Sequence, residues 1–134
     1  MRLALLTLPL VLAVAACGGS AEQPVCLIAC VQTPAVTLTV RDARGGNLTA
    51  TVSLSNLVVP AGVSTSSSSC TTASGSATCT ITAAAAGHYE FDVNAPGFVT
   101  QHLVVEVGVP IAPPSGCCPV PFVPAKRDVS LVAQ

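Results

Sequence analysis

Seven cysteines carry most of the reactive chemistry in this chain, and their spacing divides them into three groups. Cys17 stands alone behind an apolar run and a pair of alanines. Cys70 and Cys79 bracket Thr-Thr-Ala-Ser-Gly-Ser-Ala-Thr, a polar stretch whose glycine can turn the chain back on itself. Cys26, Cys30, Cys117 and Cys118 lie at the two ends of the remaining sequence. If Cys17 is set aside, six remain, and an even number in a short exported chain reads as a disulfide framework. Cys70 is expected to meet Cys79. Neighbouring cysteines bond to each other only through a strained ring, so Cys26 and Cys30 are each expected to pair with one of Cys117 and Cys118, which with which being left open. Four thiolates could instead form a tetrahedral zinc site. The spacing is not the Cys-x2-Cys of zinc knuckles and an oxidising compartment opposes it, so no metal is expected.

The two histidines offer a second chemistry. Around His88 the sequence Gly-His-Tyr-Glu-Phe-Asp-Val alternates, with Tyr89, Phe91 and Val93 facing inward and His88, Glu90 and Asp92 outward. Pairing that sets Phe91 opposite Leu103 also sets Asp92 opposite His102 and His88 opposite Glu106. A divalent metal is conceivable there, but cross-strand His and carboxylate pairs are ordinary on an exposed sheet, and that reading is preferred. Ser64 to Ser69 lack a nucleophile-elbow context and an assigned base. Asn47-Leu-Thr49 matches a glycosylation sequon. Tyr89, Phe91 and Phe98 are read as core rather than as a sugar-stacking platform. No catalytic residue and no cofactor is expected, and the chain is read as a non-enzyme. A hydrolase or metal-dependent activity on the same fold is the alternative.

The N-terminus indicates compartment. Arg2 precedes an apolar run from Leu3 to Ala15 and then small residues, the layout of a secretory signal. Its 13 residues fall short of the about 20 that a spanning helix needs. Val14-Ala15-Ala16-Cys17 resembles the lipobox of bacterial lipoproteins. That resemblance implies a signal peptide over 1–16, diacylglycerol on the Cys17 thiol, and an acyl chain such as palmitate on the new amine. Two or more acyl chains give stable anchoring. Gly18 stands where an Asp would favour inner-membrane retention in such lipoproteins, implying the outer membrane. Residues 17–34, beginning Cys-Gly-Gly-Ser, are read as a lipidated tether with a flexible spacer, and residues 35–134 as one domain.

Composition narrows the partners. Charged residues are 8% and aromatics 3% of the chain, against 51% hydrophobic and a mean hydropathy of +0.71. There is little field to steer a charged partner, and nucleic acid, which needs Lys, Arg and aromatic platforms, is disfavoured. The partners expected are the membrane, through lipid on Cys17, and an envelope protein or polysaccharide.

Period-two alternation runs through the domain. Strands are expected from Val36, from about Leu48 to Leu54, over Ala77–Thr82, from Gly87 to the Ala95-Pro-Gly97 turn, over Val99–Val109, and around Val129 and Leu131. Residues 60–76, rich in Pro, Gly and Ser, read as a mobile loop, 83–86 as a helical turn too short to persist alone, and 110–124 as a proline-rich loop. Six or seven short antiparallel strands with frequent turns favour an all-β sandwich, stapled by disulfides. Val36-Thr-Leu-Thr-Val-Arg-Asp-Ala-Arg-Gly45 and the stretch from Ser74 through Gly87-His-Tyr-Glu-Phe to Ala95-Pro-Gly-Phe98 resemble carboxypeptidase regulatory-like domains, and that resemblance implies the immunoglobulin-like or prealbumin-like (transthyretin-like) β-sandwich those domains share. The resemblance implies a non-catalytic module for support, spacing or binding. The hydrolytic branch of that fold ends in Tyr-Arg-Gly-Ser, whereas this chain ends in Leu-Val-Ala-Gln.

Overall fold

The computed structural model describes residues 29–134. The expected signal segment, Cys17, Cys26 and the tether before Ala29 lie outside the described residues. The described chain is all-β: β1 Val36–Asp42, β2 Ser53–Val58, β3 Ser66–Ala73, β4 Ser76–Ala83, β5 Gly87–Asn94, β6 Gln101–Val107 and β7 Ala125–Leu131. They form a four-stranded sheet in the order β3-β4-β1-β7 and a three-stranded sheet in the order β2-β5-β6.

Alternation in sequence becomes alternation in burial. Val36, Leu38 and Val40 of β1, Ala77, Cys79 and Ile81 of β4, Tyr89, Phe91 and Val93 of β5, and Val129 and Leu131 of β7 all reach one shared core. Each of these four strands contributes alternate side chains, as a pleated strand must when one face is covered. The Tyr89 hydroxyl donates to the Ala85 carbonyl at 2.7 Å. This satisfies the polar end of a fully covered ring and pins the link between the two sheets. Burial also pushes the Tyr89 phenol above its usual range.

Four expectations need correction. The strands are not all antiparallel, since β7 runs parallel to β1. β6 already ends where β1 begins, and the proline-rich connection carries the chain along that end to the free edge of β1, so β7 starts beside the start of β1 and runs parallel to it. The strand expected at 48–54 starts later, at Ser53. Leu48 and Val52 are buried singly from irregular backbone, with the Leu48 amide donating to the Gly75 carbonyl at 2.9 Å. Much of the loop expected at 60–76 is β3, paired with β4 over its whole length from Ser66↔Ala83 to Ala73↔Ser76. Residues 84–86 form a bend and irregular link rather than a helical turn.

Strand directions give the sandwich two distinct ends. The starts of β1, β3, β5 and β7 and the ends of β4 and β6 share one end, because Val36 pairs with Ile81 and Ala125, Ser66 with Ala83, and Gly87 with Val107. The 43–47 turn and the Ser74-Gly75 turn lie at the other.

Candidate functional site

On the outer face of the three-stranded sheet, the β5–β6 register sets His88 against Glu106 and Asp92 against His102. His88 Nδ1 is 2.9 Å from Glu106 Oε2 and its Nε2 is 3.4 Å from Glu90 Oε1. A ring held at both nitrogens by carboxylates is favoured in its doubly protonated form. The hydrogen bond accepted by Glu106 is the main cause that raises the His88 pKa above its ordinary value; desolvation opposes it, and the charges of Glu106 and Glu90 add to the rise.

Asp92 is the acceptor for two neighbours: Asn56 Nδ2 donates to Oδ2 at 2.6 Å, and His102 Nδ1 lies 2.8 Å from Oδ1. The Asn56 hydrogen bond, followed by that of His102, lowers the Asp92 pKa below the usual carboxylate value. Sequence reasoning missed Asn56. It sits where the β2–β5 register shifts, with φ of 52°, a conformation that Asn tolerates better than most residues. Its position in Ser-Asn-Leu was the available signal.

Chemically this row is modest. His88 and Glu106 are 57% and 68% exposed, no nucleophile stands beside them, and among the described residues no group of three or more His, Cys, Asp or Glu side chains is arranged to hold a metal ion. The pairs are solvated electrostatic contacts of an open sheet face.

A cavity of about 460 Å³ lies at the end of the sandwich where β1 begins, lined by segments 30–33, 65–67, 82–84 and 118–122. Val31, Val120 and Phe122 supply apolar wall, Gln32, Thr65 and Ser66 supply polar groups, and no lining residue is charged. The volume falls within the range of small-molecule pockets.

The Cys30–Cys118 disulfide forms part of that wall, with Cα atoms 5.4 Å apart. A second disulfide joins Cys70 to Cys79, which are directly opposed on β3 and β4 with Cα atoms 4.0 Å apart. Cys117 is also disulfide-bonded. Cys17 and Cys26, the other cysteines singled out in the sequence, lie outside the described residues. No helix among the described residues is long and apolar enough to cross a membrane. No protein-family model, curated protein or solved structure significantly matches the chain.

Proposed function

We propose that this chain is a cell-envelope lipoprotein, held to the membrane by lipid on Cys17, whose β-sandwich serves as a non-catalytic binding or structural accessory module. The observation that carries the reading is Val14-Ala15-Ala16-Cys17 behind a short apolar run with one leading arginine. Gly18 favours the outer membrane. The module reading is supported by an uncharged cavity of small-molecule size. An immunoglobulin-like or prealbumin-like classification is supported by seven strands in two sheets and by the Tyr89 hydroxyl bonding back to Ala85, the pattern of a tyrosine corner. A binding partner drawn from envelope proteins or neutral polysaccharides suits a chain with 8% charged residues.

Fractionation of cells expressing wild type and Cys17→Ser tests the reading. Wild type is expected in the membrane fraction with a diacylglycerol-bearing cysteine by mass, and the variant is expected released and with its signal uncut. A variant that stays in the membrane fraction and is processed normally overturns it.

A further inference from the structure

The end of the sandwich from which the tether departs is unusual in composition. Four segments converge there: 29–35 before β1, 59–65 before β3, 84–86 between β4 and β5, and 108–124 between β6 and β7, the last closed at its base by the Gly108↔Val123 bridge. None of these segments contains a single Asp, Glu, Lys, Arg or His. They nevertheless expose aliphatic side chains: Val31 is 90% exposed, Val109 76%, and Ile111 fully. Prolines at 110, 113, 114, 119, 121 and 124 fill the same long connection. Charges return just behind this end, at Lys126 and Arg127 on β7 and at His88, Glu90 and Glu106 on β5 and β6, and the opposite end carries Arg41, Asp42 and Arg44.

We propose that this uncharged end is a membrane-docking surface, seated in the interfacial layer of the bilayer to which the chain is anchored; the proposal rests on the lipoprotein reading above. Three observations select lipid as the occupant. First, Cys17 precedes Cys30, which the disulfide to Cys118 fixes at this end, by only thirteen positions, and a chain spans at most about 3.6 Å per residue. This end therefore cannot stand more than about 47 Å from the lipidated cysteine, and it is the one nearest the attachment. Second, the charge pattern runs in the order of a bilayer in cross-section: uncharged aliphatic tips lead, and charges of both signs follow, Lys126 and Arg127 on one sheet and His88, Glu90 and Glu106 on the other, at the level of the zwitterionic headgroups. Long basic side chains favour that placement, with stems along apolar surface and charged heads in the polar layer. Third, the three most exposed large aliphatics of the described residues, Val31, Val109 and Ile111, all lie at this end, and clustered exposed aliphatics mark an interaction surface. A surface without charge binds by apolar burial, which salt does not screen.

The test uses the natural absence of tryptophan from the sequence. Full-length lipidated chain carrying Ile111→Trp, and a second carrying Arg44→Trp at the opposite end, are reconstituted into phosphatidylcholine vesicles with and without bromine-labelled acyl chains. Both substituted positions are exposed, so both variants should keep the fold, which circular dichroism checks. The expected result is blue-shifted emission and quenching by brominated lipid for Ile111→Trp, insensitive to high salt and lost when Val109→Asp is added, with neither effect for Arg44→Trp. A chain that floats with the vesicles while Ile111→Trp is unshifted and unquenched overturns docking and leaves the anchor intact. A blue shift without quenching places protein, a second copy included, on this end and also overturns it. Absence of lipid on Cys17 by mass overturns the lipoprotein reading and docking together.

Discussion

Cys30 and Cys118 are bonded to each other across 88 positions of chain, so that the segment entering β1 and the connection entering β7 are joined at the end of the sandwich where both strands begin. Cys70 and Cys79 are separated by only nine. On the chain-entropy account, the first bridge removes about 4.6 kcal/mol of unfolded-state freedom and the second about 2.6 kcal/mol. Cys117 in the same connection is disulfide-bonded as well and would keep the long loop closed after loss of Cys30–Cys118 alone, so the test removes both: replacing Cys117 and Cys118 together by Ala is expected to lower the urea midpoint more than replacing Cys70 and Cys79. An equal loss, or a larger one from the Cys70 and Cys79 variant, would sink the ranking.

With Cys30 on Cys118, the sequence expectation leaves Cys26 for Cys117. Non-reducing peptide mapping of the mature protein should recover a Cys26–Cys117 peptide and no free thiol. Stoichiometric thiol labelling, or zinc in the purified protein, would contradict this.

Legibility in the sequence tracked how strongly one face of each strand is buried. β1, β4 and β5 alternate apolar and polar residues, and the same alternation gave the His88–Glu106 and Asp92–His102 pairings, because a sheet register fixed by Phe91 opposite Leu103 fixes its outer face too. β3 was illegible for the converse reason. Ser66-Ser-Ser-Ser-Cys-Thr-Thr-Ala73 has no buried face and is held by backbone pairing with β4 and by Cys70. The parallel partnership of β1 and β7 was hidden as well, since it depends on where a long proline-rich connection returns. Asn56 reaches Asp92 through a bulge that no alternation announces.

The β3–β4 hairpin turns through Ser74 and Gly75, with φ of 50° and 78°. Two positive φ values in a two-residue hairpin loop favour Asn-Gly over Ser-Gly. Ser74→Asn is expected to stabilise the protein by about 0.5 kcal/mol. Gly75→Ala is expected to cost about 1–2 kcal/mol, since the left-handed conformation disfavours a Cβ and that Cβ would collide with the Asn47 side chain. Thermal melts in which Gly75→Ala matches wild type would refute the turn assignment.

Tyr89→Phe removes one hydroxyl from a fully covered ring and leaves the Ala85 carbonyl without its donor. The expected loss is about 1–2 kcal/mol in urea unfolding. A neutral substitution would mean that the hydrogen bond does not hold the link between the two sheets.

His88 sets the pH dependence of the exposed sheet face. Glu106, and secondarily Glu90, hold its folded-state pKa above the ordinary 6.5, so the protonated ring is favoured by folding. Its stabilising contribution is then fully present below about 6.5 and is lost as pH rises through the raised folded-state value. The groups are exposed, so the effect on global stability is small, and the direct readout is the ring itself. The chain has only two histidines, giving two titrating imidazole signals in NMR, and His88→Gln identifies which belongs to His88. Its midpoint is expected above 6.5 in wild type, and Glu106→Gln should bring it back toward that value. Glu90→Gln should move it less, because Glu90 lies farther from the ring, at 3.4 Å against 2.9 Å. A wild-type midpoint at or below 6.5, or a Glu106→Gln variant that titrates like wild type, would remove Glu106 as the partner that charges the ring.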